Sequence, residues 1–368
     1  MFVKNIILSV SVLFTVLVSS QTKTIKHTSI QTDFFYGRPI EHDKKLKDAI
    51  DGNSYGILLS FNKTSTKNTT FNKLYNYPER GFSFLYQNFN STVLGEVYGG
   101  YRHFNYNLKN TPTSYLQLIS GFGLGYATKS YNAISNPTNH AIGSKLLASA
   151  YLKLQFFQLL NKERFSLNTG VSLIHFSNIA FKNPNLGINT VNLHLGLNYL
   201  LESSKSSPIK EENTNITLDK KLYFNLILRG GYNESLEIDS GLFPFYAVTF
   251  YASKTINKFS SITFGTDYFK SEFLKNHIKI KNLEEGKTYN ENDYSRAGIF
   301  IGHELIQNNF SFVSQIGYTI YYPFPYVSRV YERFGLKYKL GKHIFSEVTM
   351  KINLFRAEAL EVGLGYKF

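Results

Sequence analysis

The sequence contains no cysteine and no tryptophan. Without cysteine there is no disulfide framework, no thiolate nucleophile and no Cys-ligated metal, so hydrogen-bonded elements and packing must hold the fold. Long apolar runs are missing too. Beyond the first twenty residues no stretch reaches the ~18 consecutive apolar residues that a membrane helix needs, and stripes at helical spacing are scarce. If the chain enters a membrane, it enters as strands. No His, Asp and Glu spacing argues for a metal site, and no cofactor is implied. The one nucleotide-like pattern, Gly121-Phe122-Gly123-Leu124-Gly125, lies inside a strand pattern with no helix after it, which argues against a phosphate-cradling loop.

Aromatic residues, in contrast, make up 16% of the chain, with 27 Tyr and 32 Phe, a supply that suits rings placed at both interfaces of a membrane barrel. The formal charge is +14. Lys and Arg are scattered rather than clustered and no nucleic-acid motif accompanies them, so an anionic lipid surface is the better partner and nucleic acid is not expected. Charge alone equally fits basic, solvated loops with no specific partner. At the N-terminus Lys4 precedes an apolar stretch from Ile6 to Val18, followed by Ser19, Ser20 and Gln21. That is the layout of a secretory signal peptide cleaved near Ser20, its apolar core too short to span a bilayer.

Apolar residues alternate with polar or small ones over many segments of roughly ten residues, the period of a half-exposed strand. Strands are expected near residues 28–38, 53–62, 80–90, 93–106, 113–128, 144–158, 164–178 and 189–200. A second set falls near 221–234, 243–255, 259–271, 293–307, 309–321, 328–340, 343–356 and 358–368. From residue 113 onward long connections (128–143, 179–188, 272–292) mostly alternate with short ones (161–163, 308–309, 341–342). Long extracellular loops opposite short periplasmic turns are the mark of an outer-membrane barrel. The polar stretch Glu202 to Lys220 breaks the rhythm and reads as a linker. The last strand alternates Leu360, Val362, Leu364, Tyr366 and Phe368 with Glu361, Gly363, Gly365 and Lys367, like the aromatic terminal strand by which outer-membrane proteins are recognised for assembly. The expected fold class is therefore all-β, an antiparallel transmembrane β-barrel.

Chemistry concentrates between Ile174 and Asn189. In a strand, residues two apart share a face, so Val171, Leu173, His175 and Ser177 point one way and Gly170, Ser172 and Asn178 the other. The apolar face of a barrel strand faces lipid. His175 and Ser177 thus end an outward row, roughly 7 Å apart at Cα, a spacing across which an imidazole can take a hydroxyl proton. In the next strand Asn189 begins the outward row of Val191, Leu193, Leu195 and Leu197 near the same rim. Polar residues on a lipid face are costly and often functional. With a periplasmic N-terminus the strand ending at Asn178 is the seventh and runs outward, toward the leaflet that presents lipopolysaccharide. His103 and His194 read as lumen residues, and His140, in a long loop, as a solvated residue, with contact to a substrate phosphate the alternative.

His-x-Ser-Asn followed by Pro-Asn-x-Gly, here His175, Ser177, Asn178, Pro184, Asn185 and Gly187, resembles the PagL-type lipid A 3-O-deacylases, which are grouped with acyloxyacyl hydrolase-related proteins. The resemblance implies that His175 is the general base, that Ser177 is the nucleophile and that Asn178 serves the oxyanion hole. Because strand alternation points the Asn178 side chain inward, its backbone N–H, or a local bulge, is expected to matter more than its amide. The family places a Glu two residues after the Gly, where this sequence has Asn189. An Asn can orient the imidazole but cannot neutralise the imidazolium.

The resemblance is clearest over residues 113–200, and a family member needs only about eight strands. The expected organisation is a signal peptide over 1–20, a PagL-like barrel region over 21–201, a polar linker over 202–220 and a second strand region over 221–368. The second region either extends one barrel to about 16 strands or forms its own. The functional expectation is an outer-membrane serine esterase that removes an ester-linked acyl chain from lipid A of lipopolysaccharide. The alternative is a non-catalytic porin or transport barrel with a degenerate motif, which a charged lumen and one large pore would favour.

Overall fold

A strand whose side chains alternate between apolar and polar has two unlike faces, and a closed barrel is the arrangement that leaves neither those faces nor any backbone edge unsatisfied in a membrane. The computed structural model describes residues 26–64, 72, 75, 77–160, 164–178, 182–204, 221–235, 238, 240–257, 259–286, 288–307, 309–354 and 356–368. The expected signal peptide over 1–20, the expected turn at 161–163 and residues 205–220 of the expected linker lie outside the described residues.

The strands are β1 (Lys26–Pro39), β2 (Ser54–Thr64), β3 (Glu79–Asn88), β4 (Glu96–Asn110), β5 (Ser114–Ala127), β6 (Leu146–Leu159), β7 (Phe165–Ser177) and β8 (Ile188–Ser204). After them come β9 (Leu222–Glu234), β10 (Leu242–Asn257), β11 (Ser260–Ser271), β12 (Ser295–Gln307), β13 (Phe310–Tyr321), β14 (Val330–Lys339), β15 (Ile344–Asn353) and β16 (Arg356–Lys367). Each expected strand has its counterpart. They do not form one barrel of 16 strands. β1 to β8 close on themselves and β9 to β16 close on themselves, giving two eight-stranded antiparallel barrels, each the basis of one compact unit. The first closes where β1 meets β8, with Ile30 opposite Tyr199 and Phe34 opposite Leu195. The second closes where β16 meets β9, with Leu364 opposite Leu228.

In the first barrel the outward rows are apolar, as on β8, where Leu193 and Leu195 are 68% and 66% exposed. Burying such a side chain is worth about 1.5–3 kcal/mol, so a belt of them facing water would be a large liability, whereas hydrocarbon accepts it. The lumen is filled. Asp33, buried, holds Lys153 at 2.6 Å, and Gln31, Gln155 and Asn168 join the pair by hydrogen bonds. His103 and His194 point into this lumen, bonded to Ser83 and Ser172 respectively. Toward the end that carries β7's last residues the filling turns apolar: Leu46, Phe89, Leu94, Leu147, Phe176 and Ile188 are buried there, with Phe89 edge-on to Phe176 at 6.1 Å.

The second barrel also has apolar outward rows and a filled lumen, here ionic. Arg333 binds Glu361 at 2.6 Å and Asp267 at 3.0 Å, Arg229 binds Glu347 at 2.7 Å, and Lys337 binds Glu304 at 2.9 Å. Glu358 pairs with both Arg296 and Lys351. Every buried charge named here has an opposite partner, as burial requires. The long 272–292 connection is not all loop, since Glu272–Glu285 forms helix α1, which buries Phe273, Leu274 and Ile278 against Phe324. Among the described residues no helix is long and apolar enough to cross a membrane.

Candidate active site

The site grows from the register of β7 against β8. His175 lies directly opposite Asn189, and Phe176 opposite Ile188. Phe176 and Ile188 face inward and are fully buried, which fixes both strand ends, while the partly exposed His175 and Asn189 face outward. Their side chains meet: His175 Nδ1 donates to Asn189 Oδ1 at 2.8 Å. This bond sets the tautomer and leaves Nε2 with its lone pair. Two further contacts hold the strand ends. Ser149 Oγ donates to the His175 carbonyl at 2.7 Å, and the Ile40 N–H donates to the Asn189 carbonyl at 2.8 Å.

Ser177, two residues beyond His175, is the last residue of β7. It is only 5% exposed, so the row that opens toward lipid along β7 is covered at this end. The chain turns there into the β7–β8 loop, whose Asn178 and Gly187 are buried as well. Asn178 is buried and its amide packs into the loop beside Gly143 rather than among lumen residues, and its backbone N–H is not open: it donates to Asn185 Oδ1 at 3.0 Å. The Asn178 amide Nδ2 donates to the Lys182 carbonyl at 2.6 Å, which leaves one amide hydrogen, and Asn178 Oδ1 has no hydrogen-bond partner.

Sequence reasoning named Asn185 and Gly187 only as parts of a pattern. In the structure they shape the loop. Gly187 has φ +70°, a conformation that costs an L residue roughly 1–2 kcal/mol. Its N–H donates to the Ala141 carbonyl at 3.0 Å, and the Leu186 N–H donates to the His140 carbonyl at 3.1 Å. These bonds tie the loop to residues 131–144. Gly143 sits in the same seam, where a Cβ would stand 2.5 Å from the Lys182 carbonyl oxygen and 2.6 Å from that of Pro184. Ile179, Ala180 and Phe181 lie outside the described residues. Among the described residues no cluster of His, Asp or Glu is placed to hold a metal ion.

Two family models match this chain. Residues 55–198, which contain all four candidate residues, match the lipid A 3-O-deacylase (PagL) model, and residues 222–368 match the acyloxyacyl hydrolase C-terminal domain model. The chain belongs to the PagL family. The second PagL match accounts for the half that the motif did not reach, since it spans β9 to β16. No curated protein matches the chain. Among solved structures, similarity was found to a mutant of Rh. blastica porin at 7% identity and TM-score 0.19, covering 93% of this chain and 100% of that one. A siderophore receptor, PirA from Pseudomonas aeruginosa, is similar at 9% identity and TM-score 0.22, covering 95% and 82%. CdiB from Acinetobacter baumannii is similar at 8% identity and TM-score 0.19, covering 95% and 60%.

Proposed function

We propose that this PagL-family protein is an outer-membrane serine esterase that removes an ester-linked acyl chain from lipid A of lipopolysaccharide. The observation that carries the reading is the pair His175 and Asn189 at 2.8 Å, outward-facing at the end of β7, with a serine two residues further on. The N-terminal signal reading puts the mature start near Gln21, and the apolar outward rows give the barrels a lipid environment to match.

In this mechanism Ser177 Oγ attacks the acyl carbonyl carbon while its proton passes to His175 Nε2. The carbonyl electrons move to oxygen, and the remaining amide hydrogen of Asn178 is the donor assigned to that oxyanion. As the intermediate collapses, His175 returns the proton to the leaving sugar oxygen and an acyl-serine remains. Water then attacks the acyl-serine, its proton goes to His175, and the fatty acid departs as Ser177 recovers its hydrogen. Asn189 keeps the imidazole in the tautomer this requires, without the negative charge that would stabilise the imidazolium. Because Ser177 is buried, substrate entry requires the groups that cover it to move.

The test is expression in a Gram-negative host followed by mass spectrometry of lipid A. The wild type should yield a species short of one ester-linked acyl chain. Ser177→Ala and His175→Ala should each eliminate most of that conversion, and the double variant should be little worse, since base and nucleophile act as one unit. A wild-type protein that assembles yet leaves the esters of lipid A and of simpler acyl substrates intact would overturn the reading.

A further inference from the structure

The second barrel carries a group of cations that neither the lumen network nor the esterase site uses. Lys270 is the penultimate residue of β11 and ends its outward row, following Ile262, Phe264, Thr266 and Tyr268. Ile262, Phe264 and Tyr268 in that row are exposed. The chain then enters α1, whose first turn brings in Lys275, and it returns through Tyr294 into β12. The Lys270 and Lys275 ammonium groups lie 5.0 and 5.6 Å from the centroid of the same Tyr294 ring. That ring is held from behind: it packs on the cluster of Phe273, Leu274, Ile278 and Phe324, and the Ser271 N–H donates to the Tyr294 carbonyl. Across the sheet, Tyr246 stands directly opposite Lys270 and is exposed on the same face.

The other lysines of α1 are used differently. Lys279 pairs with Glu291, and Lys281 with Glu284 and Glu285. Neither Lys270 nor Lys275 makes an ion pair with a carboxylate among the described residues, although Glu272 lies between them in sequence. Two like charges on one ring repel each other, and an anion between them relieves that repulsion while adding charge-assisted hydrogen bonds.

Depth identifies the source of the anion. Three of the four connections at this end of the barrel, 235–241, 272–294 and 322–329, are long, the fourth being the two-residue 354–355, while the three at the other end are of two to four residues, so this is the outward end. Tyr246, Tyr268 and Tyr318 form exposed aromatic positions on the outward face near it, and such rings sit at headgroup level. Lys270 ends its row at that level and faces outward, where the nearest anions are the phosphates of membrane lipids.

We infer that Lys270, Lys275 and Tyr294 form a clamp for the phosphomonoester of an outer-leaflet lipid headgroup, with Tyr246 beside its acyl chains. The clamp depends on the membrane setting of the barrel and not on catalysis at Ser177.

The absence of tryptophan gives a direct test. Tyr246→Trp places the only indole of the chain beside Lys270, and its fluorescence in mixed micelles is quenched by lipids with brominated acyl chains. Brominated phosphatidic acid should quench more effectively than brominated phosphatidylcholine, by about fivefold in relative affinity for each lysine engaged. Lys270→Gln with Lys275→Gln in the Tyr246→Trp background should bring the two lipids to equality, with heat-modifiable migration reporting that the barrel is intact. Equal quenching by both lipids before substitution would overturn the proposal, as would a preference that survives the double substitution. Loss of the preference on adding millimolar inorganic phosphate would show a site for the free ion, and would overturn the lipid assignment.

Discussion

An amide in place of a carboxylate changes what His175 gains from its partner, and the register shows where the change acts. The Nδ1 bond to Asn189 Oδ1 orients the ring, yet the charge that builds on the imidazole during attack meets a dipole instead of an anion. Asn189→Glu supplies the missing charge at the same position and should raise kcat. Asn189→Leu removes a hydrogen bond worth about 1 kcal/mol and should lower kcat/KM about five- to tenfold. Steady-state rates on a water-soluble acyl ester check both. Equal rates in wild type and both variants would remove Asn189 from the mechanism. That His175 and Asn189 share the outward face near one rim was legible in the sequence, because period-two alternation assigns both to that face at adjoining strand ends; their direct opposition is a matter of register. The burial of Ser177 was not, because alternation assigns it to the outward face and does not report what the rest of the chain packs there. The same holds for the backbone N–H of Asn178, whose acceptor, Asn185, is seven residues away across that loop.

At the scale of elements, strands announce themselves and short helices inside loops do not. Each strand repeats one signal for ten or more residues, so its existence followed from alternation, with ends displaced by up to four residues, as for β4, expected near 93–106 and found at Glu96–Asn110. Helix α1 presents only three fully buried positions, Phe273, Leu274 and Ile278, in a polar stretch, and its N-cap Ser271 makes no side-chain cap bond. Its clearest sign is Gly286, which closes it in the left-handed conformation at φ +60°. The loop seam beside the candidate site carries its own prediction. Gly187→Ala forces a side chain onto φ +70° in a buried position and should cost roughly 1–2 kcal/mol locally. The barrel's ladder is untouched, so heat-modifiable migration should persist while esterase activity falls severalfold. Undiminished activity would mean that the seam with residues 131–144 does not position the site.

For the whole molecule, the division into two barrels was the part the sequence left open. A strand that closes a small barrel and one that continues a large barrel carry the same alternation, and the choice rests on pairings between distant residues such as Thr32 with Leu197 and Tyr366 with Leu226. Closure at eight strands has a functional consequence, because a barrel of that size has an interior just wide enough for side chains to fill. Both interiors are filled. In the first, Lys153 and Asp33 with their amide partners occupy the centre, and Leu46, Phe89, Leu94 and Phe176 fill the end that carries the last residues of β7. In the second, the Arg333, Asp267 and Glu361 group crosses the lumen with every side chain buried. An ion moving through either would have to break paired charges whose loss costs about 3–5 kcal/mol when one partner is removed. Purified protein reconstituted in planar bilayers should therefore show no steady conductance of porin size at neutral pH. Arg333→Ala leaves Asp267 and Glu361 without their central cation, so it should lower the thermal unfolding midpoint of the second barrel, and any conductance that emerges should do so in that variant. Large, stable channels in the wild type would favour a transport barrel over an esterase, since an open aqueous path is not compatible with these packed interiors.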